Sequence, residues 1–182
     1  RVLVPSGGTY LCGTFEMKAH VELYVERGAV LEASGNPADY RTVQTPASHK
    51  GVGYPDLGAS ITFIAAYGVD DIAFTGGGVI DGGGRKFIAE RLPHIYRMQA
   101  QRPFTAVLIG CQNVTFQDIV VRDGAMWTLR FSGCNDVLIQ GIRLLNDLKL
   151  PNSDGIDIDQ CRNVRIANCH IVAGDDCICM KS

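Results

Sequence analysis

Apolar and β-branched residues alternate with polar ones in short runs along this chain, and no stretch sustains the 3.6-residue spacing of an amphipathic helix. Val114-Thr115-Phe116, Val137-Leu138-Ile139 and Val164-Arg165-Ile166 are typical runs, and their composition predicts strands. Each follows the same opening: Cys111-Gln112-Asn113, Cys134-Asn135-Asp136 and Cys161-Arg162-Asn163, at spacings of 23 and 27 residues. A weaker copy begins at Val69-Asp70-Asp71-Ile72.

Strands recurring about every two dozen residues predict a solenoid in which one repeat is one coil of three short strands and their turns. The fold expected is an all-β, right-handed, single-stranded parallel β-helix, truncated at its C-terminal end. Stacking then puts Cys111, Cys134 and Cys161 in one column and Val114, Val137 and Val164 in an inward-facing one. The Asn or Asp before each Val is a turn residue, since its side chain bonds nearby backbone and it tolerates positive φ. A propeller blade needs roughly 40 residues, and a leucine-rich repeat would carry its Leu/Asn signature.

One domain over residues 1–182 is expected, with entry strands over 1–35, insertions at 36–60 and 85–100, and regular coils over 105–182. The insertion at 36–60 is rich in turn formers, and 85–100 is expected to hold a short helix broken near Pro93. Gly76-Gly77-Gly78 and Gly82-Gly83-Gly84 lack the Gly-Lys-Ser/Thr ending of a phosphate loop and read as tight turns.

Composition narrows the function. The 182 residues are 46% hydrophobic and 20% charged, which suits a packed core and argues against disorder. A net charge of −2 without a Lys/Arg run gives no footprint for nucleic acid. No apolar run approaches the ~20 residues of a membrane span. The seven cysteines form no metal-ligand spacing and read as small buried side chains rather than a disulfide framework. The opening residues from Arg1 lack both Met and a signal-peptide pattern, so the true N-terminus is expected upstream.

The chemistry lies in Asn152-Ser153-Asp154-Gly155-Ile156-Asp157-Ile158-Asp159 and Gly174-Asp175-Asp176-Cys177-Ile178-Cys179-Met180-Lys181. Aligning Ile156 with Ile178 and Ile158 with Met180 gives an offset of 22, one coil. Asp154 then sits beneath Asp176 on strands ~4.8 Å apart, with Asp175 beside them. Strict alternation would bury two unpaired carboxylates, so it must break before the strands; Gly155 permits this on one coil. Crowding should raise at least one carboxyl pKa, which suits acid/base hydrolysis. Turn aspartates, or a calcium site, are the other readings of this spacing.

At these residues the chain resembles glycoside hydrolase family 28, the polygalacturonases and their relatives. Asn152-Ser153-Asp154 is similar to the family's Asn-Thr-Asp, and Gly174-Asp175-Asp176 to its Gly/Gln-Asp-Asp. Looser similarity runs through Gly28-Ala29-Val30-Leu31, Gly78-Val79-Ile80-Asp81-Gly82 and Arg102-Pro103. The resemblance implies inverting hydrolysis of α-1,4-linked galacturonic acid in pectin, with Asp175 as general acid and Asp154 and Asp176 holding and deprotonating water. Inverting geometry predicts ~6.5–9.5 Å between acid and base carboxyls. The family's Gly-His-Gly and Arg-x-Lys do not occur before Ser182, and His170 reads as an ordinary strand residue. The 182 residues alone are therefore expected to be inactive.

Asn152, Trp127 and Lys181 are the substrate-binding candidates. Trp127 precedes Asp154 by 27 residues, one coil, and could stack on a sugar or simply pack. Lys181 could touch substrate or form an exposed ion pair with Asp159, and Arg130, beside Asp157, has the same ambiguity. No cofactor or metal is expected; the partner is a pectic polysaccharide or oligogalacturonide, and the protein a monomer, extracellular or periplasmic. The rival readings are rhamnogalacturonan hydrolysis, pectate-lyase-like elimination and a non-catalytic glycan-binding β-helix.

Overall fold

A computed structural model describes residues 1–42 and 60–181. Three parallel sheets stack six coils. The first sheet holds Val2–Val4, Glu22–Val25, Asp70–Thr75, Gln112–Gln117, Asn135–Gln140 and Arg162–Ala167. The second holds Thr9–Cys12, Val30–Ala33, Val79–Asp81, Val120–Arg122, Arg143–Leu145 and His170–Val172. The third holds Phe15–Glu16, Ile61–Tyr67, Phe104–Ile109, Leu129–Ser132, Ile156–Asp159 and Ile178–Lys181, with Arg41–Thr42 antiparallel at its side. This is the parallel solenoid that the periodicity predicts, and right-handed is the sense that parallel crossovers take. Among the described residues no helix is long and apolar enough to cross a membrane.

Register follows the sequence columns. Val114 pairs with Val137 and Val137 with Val164, while Gln112 pairs with Asp70 in the weaker copy. Two earlier copies, Val2–Val4 and Glu22–Val25, join the same sheet although they lack the Cys-x-Asn/Asp opening. Asp71, Asn113, Asp136 and Asn163 have φ of 55°, 54°, 54° and 54°, so each bends the strand where a left-handed residue is needed. Their side chains bond across coils, Asn113 to Asp71 at 2.6 Å and Asn163 to Asp136 at 3.1 Å.

Inward residues form one continuous core. Phe74 stacks on Phe116 at 4.2 Å between ring centroids, and Phe131 meets Phe116 edge-on at 5.8 Å. Burying an aromatic ring of this size stabilises by ~1.5–3 kcal/mol, which identical positions on successive coils repeat. All seven cysteines are free thiols; Cys111 and Cys134 are buried in one column, with Cys161 half-buried above them.

Both insertions leave between a second-sheet strand and the following third-sheet strand. The first begins with a 3-10 turn over Pro37–Asp39, capped by the Asn36 side chain, which accepts from the Ala38 N–H at 3.1 Å. Its remainder, 43–59, lies outside the described residues. The second differs from the expected helix. Gly84–Phe87 forms a 3-10 turn, and Ile88–Glu90 then pairs antiparallel with Arg97–Met98. Phe87 is fully buried and packs near Tyr40, ring centroids 6.3 Å apart. Pro93 falls in the connection between the two strands, where its missing N–H costs nothing.

Candidate active site

Asp154, Asp175 and Asp176 sit at the same corner as both insertions, just before the third-sheet strands Ile156–Asp159 and Ile178–Lys181. Parallel pairing of Ile156 with Ile178 continues past the strand ends: the Gly155 N–H donates to Asp176 O at 2.8 Å, and the Thr128 N–H to Asp154 O at 2.9 Å. Asp154 and Asp176 are thus neighbours across one coil, and an oxygen from each of the three carboxylates lies within 4.8 Å of the others. This is closer than the ~6.5–9.5 Å expected between acid and base. A water at ordinary hydrogen-bond length, about 2.8 Å, reaches two oxygens so spaced. The three could also serve as oxygen ligands for a hard cation, a donor set that exposed acidic groups often present without one.

The carboxylates differ in surroundings. Asp175 and Asp176 are exposed, with the Asp176 N–H donating to Asp175 Oδ1 at 3.1 Å. Asp154 is 4% exposed and its Oδ1 has no hydrogen-bond partner among the described residues. Asp154 is thus a buried carboxyl, and Asp176 an exposed one. Burial, then the negative charges of Asp157 and Asp175, push the Asp154 carboxyl up to about 7, so a proton resolves the cost of burying it.

The glycines explain how the two acidic turns approach. A Cβ on Gly155 would meet Cys177 O at 2.4 Å, and one on Gly174 would meet Leu150 O at 2.4 Å and Ser153 Oγ at 2.5 Å. Gly174 thus gives the second coil the close approach that Gly155 gives the first. Ser153 Oγ donates to Leu150 O at 2.7 Å and accepts from the Gly174 N–H at 3.2 Å.

Outward residues of the third sheet form a buried charged lane beside the acids. Arg130, fully buried, donates to Asp159 Oδ2 and to Ser132 Oγ at 3.3 and 3.1 Å. Lys181 Nζ lies 3.0 Å from Asp157 Oδ1 and donates to Cys179 Sγ at 3.0 Å. Burial raises the Asp157 pKa against the pull of Lys181. Burial also opposes the Lys181 charge, but its bonds to Cys179 and Asp157 outweigh this and raise the ammonium pKa.

Several expectations change here. Asp159 and Lys181 are register partners, but their exposed ion pair does not form: Asp159 is buried against Arg130, and Lys181 turns to Asp157. Trp127 is 9% exposed; Phe104 meets it edge-on at 5.6 Å, and Arg130 and Lys181 lie 5.0 and 4.4 Å from its ring centroid. The indole is thus packed among one aromatic and two cationic neighbours. Asn152, exposed and at φ 55°, accepts from the Arg102 guanidinium at 3.0 Å through Oδ1. Arg102 reaches it across two coils. The second insertion leans on the same loop, the Tyr96 N–H donating to Lys149 O at 2.8 Å. His170 is an exposed strand residue of the second sheet, away from this corner. Asn146, buried beneath the loop, was not singled out by the sequence: a lone Asn after a strand carries no signal of its own.

A parallel β-helix with three clustered carboxylates on one corner has the ingredients of a carbohydrate-cleaving enzyme of the solenoid class. The chain belongs to the glycosyl hydrolases family 28, whose model matches residues 17–182. It is 31% identical over 183 residues to a probable polygalacturonase of Vitis vinifera, covering 100% of this chain and 37% of that protein. It is 31% identical over 190 residues to an exopolygalacturonase of Cochliobolus carbonum, covering 100% of this chain and 39% of that protein. The solved family 28 exopolygalacturonase of Yersinia enterocolitica superposes with a TM-score of 0.79 at 23% identity, over 98% of this chain and 38% of that one. The polygalacturonase of Erwinia carotovora gives 0.76 at 20% identity, over 94% of this chain and 47% of that one. The chain therefore spans less than half the length of each.

Proposed function

We propose that the full-length protein carrying this chain hydrolyses α-1,4-galacturonide linkages in pectic polysaccharide or its oligomers, by an inverting acid/base reaction, as an extracellular or periplasmic monomer. The observation that carries the hydrolase reading is the trio of carboxyls within 4.8 Å, one of them with its pKa raised to about 7 by burial, while inversion rests on the family alone. One carboxylic acid protonates the leaving oxygen, and a carboxylate takes the proton of the attacking water. Asp175 is the general acid, and Asp154 with Asp176 holds and deprotonates the water. Asn152, with Oδ1 engaged by Arg102, has its Nδ2 left to donate to a sugar hydroxyl. Lys181, its charge engaged by Asp157, is the candidate contact for a substrate carboxylate.

A second assignment has its own support. Asp154 is the carboxyl that keeps a proton near pH 7, which suits the acid and would leave the water to Asp175 and Asp176. Reducing-sugar release from polygalacturonate by the full-length protein, beside its Asp154→Asn and Asp175→Asn variants, tests the activity. An aryl galacturonide with a good leaving group then tests the roles, because that bond breaks without protonation. The variant lacking the acid keeps its turnover on the aryl substrate, and the one lacking the base does not. A wild-type protein silent on both substrates would overturn the reading in favour of a glycan-binding solenoid.

A further inference from the structure

We propose that Asn146 is a positioning residue for the acidic cluster, its amide acting through Ser153 to set the separation of Asp154 from Asp175. The inference rests on the reading of that cluster as the hydrolytic centre. Asn146 follows the strand Arg143–Leu145 and is buried. Its Oδ1 accepts from the Gly124 N–H at 2.9 Å, and its Nδ2 donates to Thr128 Oγ1 and to Ser153 O, each at 2.8 Å. Ser153, with no exposed surface, carries the run onward by accepting from the Gly174 N–H at 3.2 Å. These bonds cross three successive coils, from Gly124 and Thr128 through Ser153 to Gly174. They end on the residues immediately before Asp154 and Asp175.

The backbone ladder ties the same coils together on either side of the acidic turns, through the Asn146 N–H to Val172 O at 2.9 Å before them and the Gly155 N–H to Asp176 O at 2.8 Å after them. The side-chain run holds what precedes the two acids. Both ends are closely packed: a Cβ on Gly124 would meet Thr128 Oγ1 at 2.5 Å and Met126 O at 2.9 Å, and one on Gly174 would meet Leu150 O at 2.4 Å and Ser153 Oγ at 2.5 Å. Packing this close transmits a lost bond into movement of the turn instead of absorbing it. An amide is also the one side chain of this size offering an acceptor and two donors in a plane. Aspartate would face the Ser153 carbonyl with no donor, and alanine would leave Gly124 N, Thr128 Oγ1 and Ser153 O unmatched.

The test uses the full-length protein with Asn146→Ala, Ser153→Ala and the double variant, each verified as folded by circular dichroism. Displacement of one acid by about 1 Å predicts a kcat on polygalacturonate at least about tenfold lower in each single variant, with KM within about twofold. The acid limb of the pH–rate profile moves, and the double variant is no worse than the weaker single, because one link is being cut. A lower Tm with unchanged kcat and pH profile would make Asn146 an ordinary core amide and overturn the proposal. Carbon-13 titration of the Asp154 carboxyl without substrate provides a readout independent of activity, since Asp157, Asp175, Asp176 and Lys181 surround it. A shifted titration in variants of a protein inactive on polygalacturonate would leave the clamp standing and remove the functional reading. An unshifted titration would remove the clamp whatever the activity. Should Asn146→Ala not fold, Ser153→Ala, which keeps the Asn146 bond to the Ser153 carbonyl, carries both readouts.

Discussion

Ser153 Oγ accepts a hydrogen bond from the Gly174 N–H at 3.2 Å, which joins the residue before Asp154 to the residue before Asp175. The contact needs a glycine on its far side. In Gly174→Ala the new Cβ would fall 2.4 Å from Leu150 O and 2.5 Å from Ser153 Oγ, so the turn carrying Asp175 must lift. A shift of about 1 Å at a reacting group costs on the order of a hundredfold in rate. The expected outcome is a loss of that order in kcat on polygalacturonate, and kcat within about threefold of wild type would refute it.

Burial of Asp154 sets a pH dependence of stability. Its carboxyl ionises near 3.8 when unfolded and near 7 when folded, so the folded protein binds the extra proton between those values. A raised acid pKa means that its contribution is fully present below pH ~4 and is lost as pH climbs through about 7. Asp154→Asn should therefore raise Tm relative to wild type at pH 7.5, by a few degrees, with the gap closing at pH 4. Scanning calorimetry at the two pH values checks this; an equal gap at both would show that the carboxyl titrates normally.

Turns leading from the third sheet to the first place Gly68, Gly110 and Gly133 at φ of 57°, 63° and 59°, and on the next coil Gln160 at 50°. Left-handed backbone costs a non-glycine residue roughly 1 kcal/mol. Gln160→Gly removes that strain and increases the freedom of the unfolded chain, so the net gain should be smaller, about 0.5 kcal/mol. A denaturation midpoint that falls on this substitution would show that the Gln160 side chain makes a compensating contact.

Arg130 is buried beside two buried carboxylates, Asp157 and Asp159. Replacing it with Met keeps the volume but takes the cation from Asp159, at a cost of about 3–5 kcal/mol, while Asp157 keeps Lys181. The double variant Arg130→Met, Asp159→Leu should recover most of that loss in urea melts, since it removes both members of one buried pair and leaves Asp157 with Lys181. A single Arg130→Met variant as stable as wild type would mean that solvent reaches the lane.

Much of this architecture is legible in the residues because stacking repeats a local pattern. The Cys-x-Asn/Asp-Val opening marks the coil start, and the offset of Ile156 from Ile178 places Asp154 against Asp176 before any coordinates are seen. The first two coils are less legible, since Val2–Val4 and Glu22–Val25 pair in register without the signature. The insertion at 85–100 misleads for a different reason. Its strands are two or three residues long and become a hairpin only because the coil beneath supports Phe87 and the loop opposite receives Tyr96.

The sequence by itself determined the coil length, the register of the columns and the gathering of three carboxylates, because those follow from spacing along a repeating chain. Tertiary structure alone decided which carboxyl is buried, that Lys181 turns to Asp157 and not Asp159, that Trp127 packs beneath two cations, and that Asn146 and Ser153 bind the acidic turns together. Register sets which residues are neighbours. Desolvation and hydrogen-bond geometry, which depend on what covers each neighbour, decide what those neighbours do.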